Sequence, residues 1–333
     1  MNTENRKQDH IDICLDKNVN SNTKTGLEKY RLLHNALPEI DMKEISLDTK
    51  FLGKKISLPL MISPITGGSK TSLNINRNLA KIAQEYNIPM GVGSQRVAIE
   101  NPELEVTFKI RDIAPDILIF ANIGAVQLNY GYGIKQIKKT IEMINADALV
   151  FHLNPLQEAI QPEGNTDFRG LLNKIAKIKS ELDIPVIVKE VGHGINSNVA
   201  KRLEEAGVTC IDVSGLGGTS WAMVEGYRKD EELGKTFRDF GIPLAESLNS
   251  IRENTNIEII ASGGIRNGID IVKSLCLGAN VCGIARPFLQ PALDSPNAIR
   301  NYLDKLIKEM KIAMFCLGVK KVSELSKEYL FEV

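Results

Sequence analysis

Little in this chain would take it out of water or hold it on a polyanion. No apolar run approaches the ~20 residues that a membrane span requires. Residues 1–30 are polar and charged and lack the apolar stretch of a secretion signal. Neither insertion nor export is expected. Charge of either sign is in no excess, since lysine plus arginine number 41 and aspartate plus glutamate also 41. That balance excludes a global field for nucleic acid or an anionic membrane, so any anion site is local. The cysteines, Cys14, Cys210, Cys276, Cys282 and Cys316, form no CxxC pair and no zinc-ligand spacing, and their odd number suits no disulfide framework. Reduced thiols in a cytoplasmic protein are the natural reading.

What is present is alternation. Short apolar runs at 60–63, 89–92, 117–121, 148–153, 186–189, 210–214, 257–261 and 281–284 alternate with segments of helical period at 71–86, 133–145, 167–182, 197–205, 243–253 and 268–277. Such a pattern predicts a parallel sheet with crossover helices. Eight strands in 333 residues suit a TIM (β/α)8 barrel, which needs about 250 residues before insertions. A doubly wound open sheet has the same alternation. The barrel is favoured because polar or glycine-rich phrases follow nearly every strand rather than one switch point: SPITGGS, GSQR, ANIG, FHLNPLQE, KEVGHG, SGLGGTSW, SGGI and ARP. Residues 1–59 read as an N-terminal arm and a hairpin (KEISLDTKFLGKKISLPL) closing the barrel bottom, part of the same domain as the barrel over 60–333. A closing C-terminal helix follows, with Ile299, Tyr302, Leu303, Leu306, Ile307 and Met310 at helical spacing.

The chemistry concentrates at the strand ends. ASGGIRNG and GIARP follow the last two strands, where barrels hold phosphate. Gly263 and Gly264 admit an anion close to backbone N–H groups, Asn267 is placed to cap the next helix, and Arg286 with Ala285 completes a cationic turn. Taken singly, a Gly-Gly pair is a tight turn and an arginine a surface cation; two such turns at consecutive strand ends point to phosphate. SGLGGTSW adds Ser214 and Thr219, and the three loops together look like a cradle for the FMN phosphate. Ile65, Thr66 and Gly67 of the first loop, with Ser94 and Asn122, would meet the flavin ring, and Lys189 would place positive charge near its N1 and O2. Lys189 read alone is equally a Schiff-base lysine or the ion-pair partner of Glu190.

Over nearly its whole length the chain resembles the FMN-dependent, type 2 isopentenyl diphosphate isomerases, in RKQDH, ITGGS, GVGSQR, ANIG, HLNPLQE, KEVGHGI, SGLGGTSW, ASGGIRNG and GIARPFL. HLNPLQE after a strand is the specific phrase, whereas the glycine loops are shared by many FMN barrels. Ile65 departs from the methionine often found there, which touches packing but removes no polar group. The resemblance implies conversion of isopentenyl diphosphate to dimethylallyl diphosphate by a 1,3 proton shift, with reduced FMN as the acid/base group, Mg²⁺, and NADPH as reductant. It implies that Arg6, Lys7 and His10 close over the mouth, in their own or a neighbouring subunit, and that Ser94, Gln95, Arg96, His152, Asn154 and Gln157 bind the diphosphate. Glu158 becomes the Mg²⁺ ligand, a role that one carboxylate among waters and phosphates can fill. Gln157, Glu225 and Trp221 are the remaining catalytic candidates, as relay, electrostatic support and π face. A homotetramer or octamer is expected, with a small diphosphate as the only partner.

The competing enzyme reading is an FMN oxidoreductase of the 2-hydroxy-acid oxidase or IMP dehydrogenase type. An oxidase of that kind wants a His–Arg pair after a late strand, where only Arg266 stands. A purine dehydrogenase wants a cysteine in SGLGGTSW, which has none. A phosphate-binding scaffold without turnover is the remaining alternative.

Overall fold

A computed structural model describes residues 3–333. Eight parallel strands close into a barrel: β1 (Leu60–Ile62), β2 (Met90–Gly91), β3 (Ile119–Gly124), β4 (Ala148–His152), β5 (Val186–Lys189), β6 (Cys210–Asp212), β7 (Glu258–Ser262) and β8 (Val281–Ile284), which pairs back onto β1. The TIM barrel is therefore the fold, and the open doubly wound sheet is excluded.

Both faces of each strand are apolar, because helices cover the outside and side chains fill the inside. Met61, Phe120, Val150, Ile187, Cys210, Ile260 and Val281 form the inner cluster. Their neighbours Leu60, Ile62, Ile119, Ala121, Leu149, Phe151, Val186, Val188, Ile211 and Ile259 join the larger cluster with the helices. The hairpin of Thr49–Phe51 with Lys54–Ile56 plugs the strands' N-terminal end. Phe51, fully buried, meets Phe120 edge-on with centroids 6.2 Å apart.

Seven helices matter below: α1 (Thr3–Asp16), α2 (Lys70–Glu85), α3 (Ile134–Ile144), α4 (Pro155–Ile160), α5 (Trp221–Lys229), α6 (Gly268–Cys276) and α7 (Pro296–Leu317). Helix α2 starts where the Ser69 side chain accepts from Ser72 N, and it buries Ile75, Leu79 and Ile82 on one face. Helix α7 begins at the Ser295 cap, buries Ile299, Leu303, Leu306 and Met310, and ends at Gly318 with φ 75°. The expected helix over 167–182 is shorter, Leu171–Ser180, because Asp167 is used in a loop instead, accepting from both the backbone and side chain of Arg169. Several short helices escaped the sequence pattern, α4 and α5 among them. These two each fill the loop after a barrel strand. Among the described residues no helix is long and apolar enough to cross a membrane.

Candidate functional site

The strand period that builds the inner core also builds the site. Two residues beyond these inward core positions lie Ser63, Asn122, His152, Lys189, Asp212, Ser262 and Gly283. An apolar layer thus gives way, one repeat later, to a polar layer at the C-terminal mouth. Cross-strand register sets His152 beside Lys189, and Lys189 beside Asp212. Above this layer two adjoining chambers open, with Lys7, His10, Lys189 and Trp221 bordering both.

The first chamber is walled largely by main chain. Gly263 and Gly264 have φ of 97° and 85°, in the left-handed region that favours glycine. A Cβ on Gly263 would stand 2.0 Å from Gly215 O, and one on Gly264 2.5 Å from Gly217 O, so the loops after β6 and β7 touch backbone to backbone. Ser214 also takes a positive φ, 38°, which costs a side-chain-bearing residue strain. Asn267 caps α6, its side chain accepting from Asp270 N at 2.9 Å. Arg266 and Arg286 both reach the chamber, and Arg286 Nη1 is buried with no hydrogen-bond partner among the described residues. Burial, then the Arg286 charge, lowers the Arg266 pKa. Two cations, an orphaned buried N–H and a glycine-lined turn suit a phosphate monoester, so the residues fit FMN. Thr66, Thr219 and Ile65 line the same chamber; the Thr66 hydroxyl is already bonded to Ser72 Oγ at 2.8 Å.

Lys189 Nζ donates to the Glu190 carbonyl oxygen at 2.6 Å, not to its carboxylate. That carboxylate instead accepts backbone N–H groups from Val191, Gly192 and His193 at 2.6, 2.8 and 2.6 Å and shapes the turn. The Lys189–Glu190 ion pair is thereby excluded. The buried carboxylate facing Lys189 is Asp212, held by the Ser262 hydroxyl and by Ser214 N. Burial raises its pKa, against the opposing pull of the Lys189 charge.

The second chamber is walled by side chains. Helix α1 lies over the mouth of its own barrel and brings Arg6, Lys7 and His10 to Ser94, Arg96, Asn122, His152, Asn154, Gln157 and Glu158. Burial and the adjacent Arg6 pull the Lys7 ammonium down to about 8. Arg96 bonds Glu100 at 2.7 Å and Asn165 at 3.0 Å. Asn154 Nδ2 donates to Gln157 Oε1 and Glu158 Oε1, each at 3.0 Å, while Glu158 Oε2 accepts from Asn165 N at 2.5 Å. Among the described residues no cation pairs with Glu158, and no cluster of three metal-binding side chains exists. One oriented carboxylate fits Mg²⁺ that keeps several waters.

The structure does not bring three of the expected residues to either chamber. Gln95 is fully buried and turns its side chain away from the mouth, to Thr140 O on α3 at 2.9 Å. Gly67 abuts Phe108, where a Cβ would come within 1.9 Å of the ring. Glu225 has no exposed side-chain surface and lies beneath the site, bonded to His10 at 3.0 Å, Gln157 at 3.0 Å and Arg228 at 2.6 Å. Burial opposes its charge, yet bonds from His10, Gln157 and Arg228 hold its carboxyl at about 2. Trp221 does reach the chambers, with the His10 ring edge-on at 5.1 Å. Arg266, Asp212, Ser63 and Ser262 were missed as site residues; extending each strand's period by one step would have found the last three.

A model of the FMN-dependent dehydrogenase family matches residues 3–102 and 146–332. A Nostoc protein named isopentenyl-diphosphate delta-isomerase is 50% identical over 329 residues, covering 97% of this chain and 94% of that one. A Pyrococcus furiosus protein of the same name is 46% identical over 334 residues, 97% and 85% of the two chains. Among solved structures, the flavin-binding domain of baker's yeast flavocytochrome b2 superposes with a TM-score of 0.69 at 17% identity, over 94% of this chain and 80% of that one. A mutant of the active chimera of (S)-mandelate dehydrogenase does so with a TM-score of 0.69 at 16% identity, over 99% of each chain. Those two likenesses show the shared fold alone.

Proposed function

Because the chain belongs to the isopentenyl-diphosphate delta-isomerases, on the fold of the FMN-dependent dehydrogenases, we propose that it interconverts isopentenyl diphosphate and dimethylallyl diphosphate. The single observation that carries this reading is the pair of adjoining chambers. One is a glycine-lined cradle with Arg266 and Arg286, and the other gathers Arg6, Lys7 and Arg96 around one carboxylate, Glu158. Anions bound in the two chambers would be separated by Lys189 and Trp221, which line both.

The reaction balances without net redox change: a proton is added to the terminal alkene carbon and another leaves the opposite allylic carbon. Reduced FMN in the first chamber would supply the acid/base chemistry. Lys189 would keep positive charge against the ring, with Asp212 behind it. Lys7, Arg6 and Arg96 would hold the diphosphate, and Glu158 with Asn154 would orient its Mg²⁺. Gln157, accepting from Asn154 and donating to Glu225, is fixed at both ends and serves to position rather than to take a proton. Trp221 offers a π face to positive charge developing on the substrate. Helix α1, lining both chambers, would limit the access of water.

NADPH as the source of reducing equivalents, Mg²⁺ as the metal, a cytoplasmic location and a homo-oligomer of four or eight chains complete the proposal. So does the division into an arm and hairpin over 1–59 and an FMN-binding barrel over 60–333. An oxidase or IMP dehydrogenase reading lacks its acid/base histidine beside Arg266 and its cysteine in SGLGGTSW. The test is anaerobic incubation with FMN, Mg²⁺, NADPH and isopentenyl diphosphate. Dimethylallyl diphosphate should form, and its absence under reducing conditions would overturn the assignment.

A further inference from the structure

We propose that His152 works as a neutral imidazole protonated at Nδ1, locked in that tautomer by the Asn122 side chain, whose amide is set by Val92 O and whose main chain is held by Gln95, so that Nε2 presents a lone pair to the second chamber.

The Gln95 amide group nearest Thr140 O stands 2.9 Å away, and only its NH₂ end can satisfy a carbonyl. Oε1 is therefore the end that accepts from Asn122 N, at 3.0 Å. Gln95 N in turn donates to Asn122 O at 2.9 Å, so the two residues clasp each other by main chain and side chain. At Asn122 the same argument repeats. The end of its amide 3.1 Å from Val92 O must be Nδ2, since turning the group over would set two oxygens against each other. Oδ1 is then the atom 2.9 Å from His152 Nδ1. An amide oxygen has no proton to give, so Nδ1 carries it.

A second ring proton is opposed by burial, then by the charges of Lys189 and Lys7, which hold His152 down to about 3. Nε2 is left bare. It faces Gly124, where a Cβ would stand only 3.1 Å away, so glycine leaves the approach to that nitrogen clear.

A bare nitrogen repels a phosphate oxygen and accepts from a water or hydroxyl. His152 thus does not neutralise the substrate; Lys7, Arg6 and Arg96 do, and His152 holds a bridging water or a cation-bound water against the diphosphate. This deepens the diphosphate reading and rests on it only for who owns that water. The tautomer follows from this chain alone. Gln95, which touches no ligand, becomes a positioning residue two hydrogen bonds removed from the site.

The test uses FMN-loaded protein labelled with ¹⁵N in its four histidines, His152 being assigned by the loss of its signals in His152→Ala. Two-bond proton–nitrogen spectra should show His152 Nδ1 protonated and Nε2 unprotonated, both before and after addition of inorganic pyrophosphate with Mg²⁺. A protonated Nε2 in either state overturns the proposal, whereas failure of the isomerase assay alone would strike only at the diphosphate reading. In Gln95→Met the Nε2–H tautomer should appear beside the other, and KM for isopentenyl diphosphate should rise about fivefold with kcat nearly held. Asn122→Asp keeps an acceptor at Nδ1 and should restore the single tautomer that Asn122→Leu loses. An unchanged tautomer in Gln95→Met would show that Gln95 does not position the Asn122 side chain. Should a variant fail to fold, the parent spectrum still decides the tautomer.

Discussion

The two chambers share a wall yet are made of different materials. The first is mostly backbone: glycines at positive φ press the loops after β6 and β7 together, and the cations lie at the ends of adjacent strands. The second is mostly side chain, and one side of it is α1, which ties down through Arg6 to Glu163 at 3.5 Å, His10 to Glu225 at 3.0 Å and Asp9 to Arg228 at 3.9 Å. A main-chain wall cannot rearrange without breaking the barrel loops, whereas a helix held by charge pairs can lift. The arrangement suits a resident group in one chamber and a substrate that comes and goes in the other.

The sharpest way to break the second chamber while sparing the first is Glu225→Gln. Arg228 would keep a buried guanidinium facing a neutral amide, whose single oxygen can serve either Arg228 or the His10–Gln157 pair but not both. Removing one partner from a buried pair costs about 3–5 kcal/mol. The expected outcome is a fall in Tm of several degrees and a loss of kcat/KM, with bound flavin still present in what folds. Calorimetry and the flavin absorbance of the purified variant check it; flavin loss without destabilisation would contradict the separation of the chambers.

The complementary break is Gly263→Ala. Its Cβ would enter the space of Gly215 O, at a φ that costs a non-glycine residue about 1–2 kcal/mol before the clash is counted. Flavin affinity should fall at least ~100-fold, the cost of moving two touching backbones being added to that strain. Titration of the apoprotein with FMN, followed by quenching of flavin fluorescence, measures it. Binding of pyrophosphate with Mg²⁺ should change little.

How much of this was open to sequence reading follows from what a linear pattern encodes. Strand positions such as 186–189 and 281–284 were legible because buried parallel strands are short apolar runs bounded by turns. His152 and Lys189 were legible because a polar residue ends such a run. Asp212 and Ser262 obey the same period, yet they hide among neighbours that look like ordinary turn residues. Gln95 and Glu225 were misplaced for a different reason. A motif shows which residue types lie near a mouth but not which way each side chain turns. Ser94 faces the chamber, whereas Gln95, next in the chain, turns to α3. Glu225 shares a helix with Trp221 yet points beneath it, toward Arg228. The short helices α4 and α5 were illegible because six and nine residues are too few for a period to declare itself.

A smaller effect is expected at Glu158→Gln. The amide keeps one acceptor for Asn154 or Asn165 but gives up the charge that a hard cation needs. The Mg²⁺ concentration for half-maximal rate should rise about 10–100-fold, the range seen when oriented ligand groups are disturbed. Flavin content should not move. A rate whose Mg²⁺ dependence is unaltered would remove Glu158 from the metal.

The finest distinction between the chambers is one of pH. Lys7, brought down to about 8 by burial and by Arg6, must be charged to hold a diphosphate. As pH rises through that value in the free enzyme, kcat/KM should fall toward a tenfold loss per pH unit. The titration of Lys7 does not itself destabilise the fold there. Between about 8 and the ordinary lysine value of 10.5, the unfolded chain binds more protons at this position than the folded one, so this group's contribution to stability rises with pH over that window. Lys7→Arg, whose guanidinium stays charged throughout, should flatten the alkaline limb. Lys7→Ala should abolish that limb and raise KM, while leaving flavin content as it was, because the glycine turns, Arg266 and Arg286 that form the phosphate cradle of the first chamber all lie outside α1. Loss of flavin in Lys7→Ala would mean that α1 clamps both chambers as one.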